Sequence, residues 1–271
     1  MGAAEFAAKV RRRETVVGYW VVLDSPTSTE RLARVGYDYV CLDAQHGLFG
    51  YSGMLAGLTA VDVGGQSVGM VRVGGNEPAT IGRALDAGAA GVIVPLVNSA
   101  EEAARAVAAA KYPPAGIRSY GPGRKLSGVG PLPAEINDAV TVLAMIETAE
   151  GLASVEAIAA TPGLDGLYIG PTDLTIGLGG AGLGDTSVAD AFESALDRVR
   201  RACSDRGIAA GLHTPSGEAA AKRISEGFTF VTVAGDLGHM EAAAQAHLEV
   251  ARAAGSNGPA GVKRVADGRP S

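Results

Sequence analysis

Apolar residues in this chain fall into short, nearly unbroken runs separated by alanine-rich stretches and turn residues. The runs are "VVGYWVVL" (16–23), "YVCLDA" (39–44), "SVGMVRV" (67–73), "GVIVPLV" (91–97), "TVLAMIE" (141–147), "GLYIG" (166–170), "AAGLHT" (209–214) and "FVTVAG" (230–235), eight in all. Each has the length of a strand. Between them lie helical patterns, several opened by N-cap residues: "SPTSTERLARVG", "NEPATIGRALDAG", "NSAEEAARAVAAA", "TAEGLASVEAIAA", "TPSGEAAAKRISEG" and "DLGHMEAAAQAHLEVARAAG". Strands apolar on both faces and joined by helices fit a parallel sheet covered on both sides, whereas antiparallel strands usually alternate polar with apolar.

A doubly wound open sheet and a closed barrel both satisfy that alternation. Eight units within 271 residues, and no composition break dividing the chain in two, favour a single-domain (β/α)8 TIM barrel over 15–253. Residues 1–14 read as an N-terminal arm, with Lys9 to Arg13 as a solvated face. The Gly- and Pro-rich segment 111–139 exceeds an ordinary connection and reads as a functional loop or lid. Residues 254–271 read as a tail outside the fold.

Composition narrows the function. The chain is 47% hydrophobic and 19% charged with a formal net charge of −6, so it offers no broad basic field and nucleic acid is not an expected partner. No apolar run is long enough to span a bilayer, and no membrane partner is expected. The two cysteines, Cys41 and Cys203, lack metal or redox spacing and read as reduced core thiols of a cytoplasmic protein.

Ionisable residues gather where the strands end. Asp43, Gln45 and His46 follow the second strand; Trp20, Arg72, Glu147, Asp173 and His213 fall at the same level of others. In a parallel barrel that rim is the catalytic face. Glu147 and Asp173 suit a hard divalent cation, or else a helix cap and a turn. Asp43 either orients the His46 imidazole for acid/base work or ties down a turn. Arg72, in an apolar strand, needs an anion: a bound carboxylate or a salt bridge. "GLGGAG" (177–182) matches a dinucleotide motif but follows the sixth strand, the wrong context. His213 reads more readily as structural, and Arg118 and Arg124 as solvated or as contacts for a substrate carboxylate.

Taken together, "DYVCLDAQHG", "VRVGGNEPATIGRALDAGAAGVIVPLVNSAEEA", "GIRSYG", "MIETAEGL" and "GLDGLYIGPTDLTIGLG" resemble, in order, the HpcH/HpaI class II aldolases, from about Thr15 to Ala253. The resemblance implies reversible cleavage of 4-hydroxy-2-oxo acids to pyruvate, or a close 2-oxo acid, and an aldehyde. It implies Glu147 and Asp173 as ligands of Mg²⁺ or Mn²⁺, with Co²⁺ usable. It further implies His46 and Asp43 as an acid/base dyad, Arg72 at the keto oxygen, and backbone around Gly170, Thr172 and Asp173 at the carboxylate. Gln45 completes the expected substrate contacts, Trp20 either walls the pocket or packs as a core aromatic, and a homohexamer, a trimer of dimers, is the expected assembly. Gln45 and Met145 stand where many relatives carry Glu and Gln, which bears on acceptor preference. The alternatives are a citryl- or malyl-CoA-type lyase of related chemistry and a catalytically silent barrel serving as a binding module.

Overall fold

The computed structural model describes residues 1–121, 124 and 132–256, in two units, Met1–Asp236 and Leu237–Ser271. In the first unit eight parallel strands close into a barrel in chain order: β1 (Val16–Val21), β2 (Tyr39–Asp43), β3 (Val68–Arg72), β4 (Gly91–Val94), β5 (Thr141–Ile146), β6 (Gly166–Ile169), β7 (Ala209–Thr214) and β8 (Phe230–Gly235). All eight lie within the expected runs. The helices are α1 (Ala3–Arg11), α2 (Pro26–Ala33), α3 (Tyr51–Gly64), α4 (Pro78–Asp86), α5 (Ala100–Ala110), α6 (Pro133–Ala139), α7 (Ala149–Ala153), α8 (Val155–Ala159), α9 (Pro171–Gly177), α10 (Ala189–Arg206), α11 (Gly217–Ser225) and α12 (Asp236–Ser256). The described part of the second unit continues α12.

The two-residue period of the strands sorts the core into two layers. Outward residues such as Val40, Leu42, Val71, Val92 and Leu167 pack under the helices. Inward residues, among them Val16, Tyr39, Met70, Leu143, Tyr168 and Phe230, fill the barrel. Gly18 is part of this fit, since a Cβ there would lie 2.1 Å from the Tyr39 ring. The next inward positions at the C-terminal ends are Trp20, Asp43, Arg72, Glu147 and His213. The same parity that fills the barrel therefore aims these five side chains at its mouth.

At the opposite end, α1 stoppers the barrel. Phe6 meets Tyr39 and Phe230 edge-on, at centroid distances of 5.9 and 6.1 Å, and Val10 is buried beside it. Lys9 pairs with Asp38 and Arg11 with Asp165, each at 2.7 Å. The stretch expected to be a solvated face is thus half engaged, because an amphipathic helix turns Phe6, Ala7 and Val10 inward.

The long connection after α5 is stitched at both ends. Lys111 Nζ donates to the carbonyls of Asn137 (2.5 Å) and Val140 (2.8 Å), Arg118 pairs with Asp86 at 2.6 Å, and Arg124 pairs with Asp62 at 2.5 Å. Its last residues form α6, and residues 122, 123 and 125–131 of the expected lid lie outside the described residues. The single helix expected over 148–160 is two, α7 and α8, broken at Ser154. Of the expected tail, 257–271 lies outside the described residues. No helix among the described residues is long and apolar enough to cross a membrane.

Candidate active site

A cavity of about 460 Å³ opens at the C-terminal mouth of the barrel, and its wall includes Trp20, His46, Arg72, Asp173 and His213. Five residues dispersed from position 20 to 213 are brought to one hollow, Trp20, Arg72 and His213 by strand ends, His46 by the turn after β2 and Asp173 by the first turn of α9.

Asp43 organises one side. Its carboxylate accepts from Arg72 Nε at 2.8 Å and, on the other oxygen, from Arg72 Nη2, so the guanidinium is held edge-on. Trp20 Nε1 donates to Oδ2 at 3.2 Å, and the backbone N–H groups of Gln45 and His46 donate to Oδ1 at 3.1 Å each. Burial would raise the Asp43 pKa, but the Arg72 bond and charge overcome it and hold the carboxyl below its ordinary value. Burial alone would likewise lower Arg72, and Asp43 reverses that.

This geometry corrects the expected dyad. With five donors already on its two oxygens, Asp43 bonds the main chain of His46 and not its imidazole. The turn alternative holds for the backbone. Arg72 finds its anion in the same residue, so the salt bridge answers its burial. The His46 side chain is exposed and projects at the cavity. Gln45 does not reach the wall, and its Oε1 is buried without a hydrogen-bond partner.

Glu147, one residue beyond β5, is only 3% exposed. Its Oε1 accepts the Leu96 N–H at 2.7 Å, for which Leu96 adopts a left-handed φ of 54°. Its Oε2 faces Gly170, where a Cβ would lie 2.6 Å away. Burial raises the Glu147 pKa, the Leu96 N–H opposes this, and the Asp173 charge raises it further. Two carboxylates thus load the same region with negative charge. A cation would relieve that load, so the donor set fits a hard divalent ion. No group of three or more His, Cys, Asp or Glu able to hold a metal occurs among the described residues, so water and substrate would have to supply the remaining ligands.

The expected backbone cradle is narrower than its three residues suggest. The Gly170 N–H donates to the Ile146 carbonyl at 3.3 Å, as a continuation of the sheet. Pro171, the first residue of α9, has no N–H, which leaves Thr172 and Asp173 as amides facing the cavity. Gly170 contributes space for Glu147, not a donor.

Three wall residues escaped the reading of the strand ends as chemistry. Tyr168 is held by a 2.5 Å bond to Thr232, which also bonds Tyr39 at 2.7 Å. His213, read as structural, lines the cavity edge-on to Trp20 at 5.5 Å; burial, then the Arg72 charge, pushes its pKa down to about 4. The signal for both was their inward parity. Leu183, from the loop after α9, had none.

Known proteins resemble the chain over most of its length. The model of the HpcH/HpaI aldolase/citrate lyase family matches residues 16–243. The chain belongs to that family. It is 41% identical over 236 residues to a hydroxypyruvate/pyruvate aldolase of Rhizorhabdus wittichii, covering 86% of this chain and 93% of that protein. It is 38% identical over 245 residues to a 5-keto-4-deoxy-D-glucarate aldolase of Klebsiella pneumoniae, covering 89% and 94%. A solved HpcH/HpaI aldolase/citrate lyase family protein of Burkholderia cenocepacia superposes with a TM-score of 0.83 at 31% identity, covering 92% of this chain and 99% of that one. Family aldolases matched over nearly their full length mark this chain as a carbon–carbon lyase.

Proposed function

We propose that this family member is a divalent-metal-dependent class II aldolase that reversibly cleaves 4-hydroxy-2-oxo acids to pyruvate, or a close 2-oxo acid, and an aldehyde. The observation that carries the reading is the meeting of Asp173, an aspartate-clamped arginine and an exposed histidine at one cavity, with the buried Glu147 carboxylate behind Gly170 of its wall and coupled to the Asp173 charge. Glu147 and Asp173 would hold Mg²⁺, Mn²⁺ or Co²⁺. When bound, the ion supplies positive charge that polarises the 2-oxo group of the substrate.

The chain's own residues account for the remaining work. The Thr172 and Asp173 amides lie against the substrate carboxylate. His46 takes the proton of the C4 hydroxyl as the C3–C4 bond breaks, releasing the aldehyde. The bonding electrons pass into the enolate, and Arg72, fixed by Asp43 and Trp20, faces the oxygen on which charge grows. A proton from solvent at C3 then yields pyruvate, and His46 returns its proton to solvent. No lysine Schiff base is required, and the described residues of the wall include no lysine.

Pyruvate release from a panel of 4-hydroxy-2-oxo acids, before and after chelation and after Mg²⁺ or Mn²⁺ add-back, tests the proposal. Loss on chelation with recovery on add-back is expected; undiminished turnover without metal refutes the metal role. The reading extends, on family resemblance, to a cytoplasmic homohexamer, and light scattering that gives a monomer at working concentration contradicts the assembly.

A further inference from the structure

The ring of helices around the barrel has a seam. Helix α2 packs on α3 and α4 packs on α5, whereas α3 and α4 make little contact with each other. A hollow of about 270 Å³ lies between them, outside the barrel and lined by a different set of residues from the catalytic cavity. That volume suits a small ligand.

The floor of the hollow is apolar. Val71, Val73, Met54 and Ala84 line it, and all four are buried. Strand parity turns Val71 and Val73, on either side of Arg72, away from the barrel interior and toward the helices. Ala44, which follows Asp43, also lines the hollow, and its N–H donates to the Arg72 carbonyl at 2.8 Å. The hollow therefore lies behind the two residues that clamp one another in the barrel mouth.

The rim has a different character. Thr80, Arg83 and Ala84 are spaced i, i+3 and i+4 on α4, and Tyr51 and Met54 are spaced i, i+3 on α3, so one face of each helix supplies the wall. The Arg83 side chain is exposed and its guanidinium lies over the Tyr51 ring, with Cζ 4.1 Å from the ring centroid. A guanidinium lying on an aromatic face keeps its N–H groups, which point outward in its own plane, available to a carboxylate. Among the described residues no carboxylate pairs with it. An inorganic anion on Arg83 would leave the floor uncovered, and a wholly apolar molecule in the hollow would leave the guanidinium without an anion. A molecule that has both parts answers both.

We propose that the seam between α3 and α4 is a binding site for a small monocarboxylate with an apolar body, the body in the hollow and the carboxylate on Arg83. The site is separate from the aldolase chemistry proposed above, and its test is a binding measurement that needs no turnover.

The probe is para-fluorophenylacetate, a ring that carries one carboxylate, with the neutral para-fluorophenylacetamide as its partner, each followed by fluorine NMR titration against the full chain. Wild type is expected to bind the acetate at millimolar concentration and to prefer it to the amide by about fivefold, the upper range for a partly exposed ion pair. Arg83→Gln is expected to remove that preference while leaving the amide affinity within about twofold, and because the side chain is exposed the variant keeps its fold. Ala84→Met, which pushes a longer side chain into the hollow, is expected to weaken both probes by about tenfold or more, with circular dichroism to confirm the fold. No binding of either probe at millimolar concentration, equal affinity for the two in wild type, a preference that survives Arg83→Gln, or unchanged binding in folded Ala84→Met overturns the assignment. Affinity for the acetate that falls as protein concentration rises marks the seam as covered by a second copy of the chain and overturns it as well.

Discussion

Replacing Gly170 by alanine isolates the role of the space beside Glu147. The residue has φ −87° and ψ 99°, which alanine adopts freely, so the backbone raises no objection. The obstacle is the side chain: its Cβ would lie 2.6 Å from Glu147 Oε2, where ordinary contact begins at 3.4 Å, so the carboxylate must retreat by about 0.8 Å. It has little freedom to do so. The other oxygen is bound at 2.7 Å by the N–H of Leu96, a residue already held at positive φ. Giving up one hydrogen bond to a buried charged group costs about 1.5–3 kcal/mol, which corresponds to about 10- to 100-fold in any affinity that depends on Glu147 being in place. Mn²⁺ titration followed by electron paramagnetic resonance of the free ion measures this without turnover, with circular dichroism to confirm the fold. The expected result is weaker Mn²⁺ binding by that factor, partly restored when Glu147→Asp shortens the opposing side chain in the same variant. Unchanged Mn²⁺ affinity in a folded Gly170→Ala protein would refute the steric argument.

Other consequences are equally open to measurement. His46→Ala should impair aldol cleavage while retaining exchange of the pyruvate methyl protons, and Arg72→Ala should damage both; parallel loss in His46→Ala would assign the histidine to the methyl proton as well. Because burial and Arg72 lower His213 to about 4, the unfolded chain takes up its proton first. Stability present above about pH 6.5 should therefore drain as pH falls toward 4, with Arg72 and Asp43 as the facing charges, and His213→Phe should flatten that part of a melting-temperature profile. An identical slope in the two proteins would exclude His213 as the source. Phe6→Ala should cost about 3–5 kcal/mol in denaturant unfolding, since it empties the stopper of the barrel; a loss below about 1 kcal/mol would mean that α1 is dispensable.

The strands were readable because each is a run apolar on both faces, a pattern that burial between helices and barrel interior imposes. Their C-terminal residues were readable as a rim, and parity explains why Trp20, Arg72 and Glu147 share it. What escaped reading was pairing. Nothing in the spacing of Asp43 and His46 reveals that Arg72, 29 residues on, claims both carboxylate oxygens. Nor does "YIGPTD" reveal that the Gly170 N–H is committed to the sheet. Helices α6 and α9 were missed because each is only seven residues long, about two turns, too short for a helical apolar period to show. Helix α3 was missed because "YSGMLAGLTAVDVG" is apolar and glycine-rich with little periodic contrast.

The protein has a single tryptophan among its 271 residues, and the fold places it in the wall of the candidate site. The Trp20 indole donates to Asp43, has the Arg72 guanidinium 5.1 Å from its ring and meets His213 edge-on. Its emission, excited at the red edge beyond the absorption of the seven tyrosines, therefore reports from one location. Any occupant that shifts the arginine, displaces water from the indole or alters the charge on the histidine will change the colour or lifetime of that light. The molecule carries its own optical probe, and occupancy of the donor and acceptor ends can be followed in the native chain without a label.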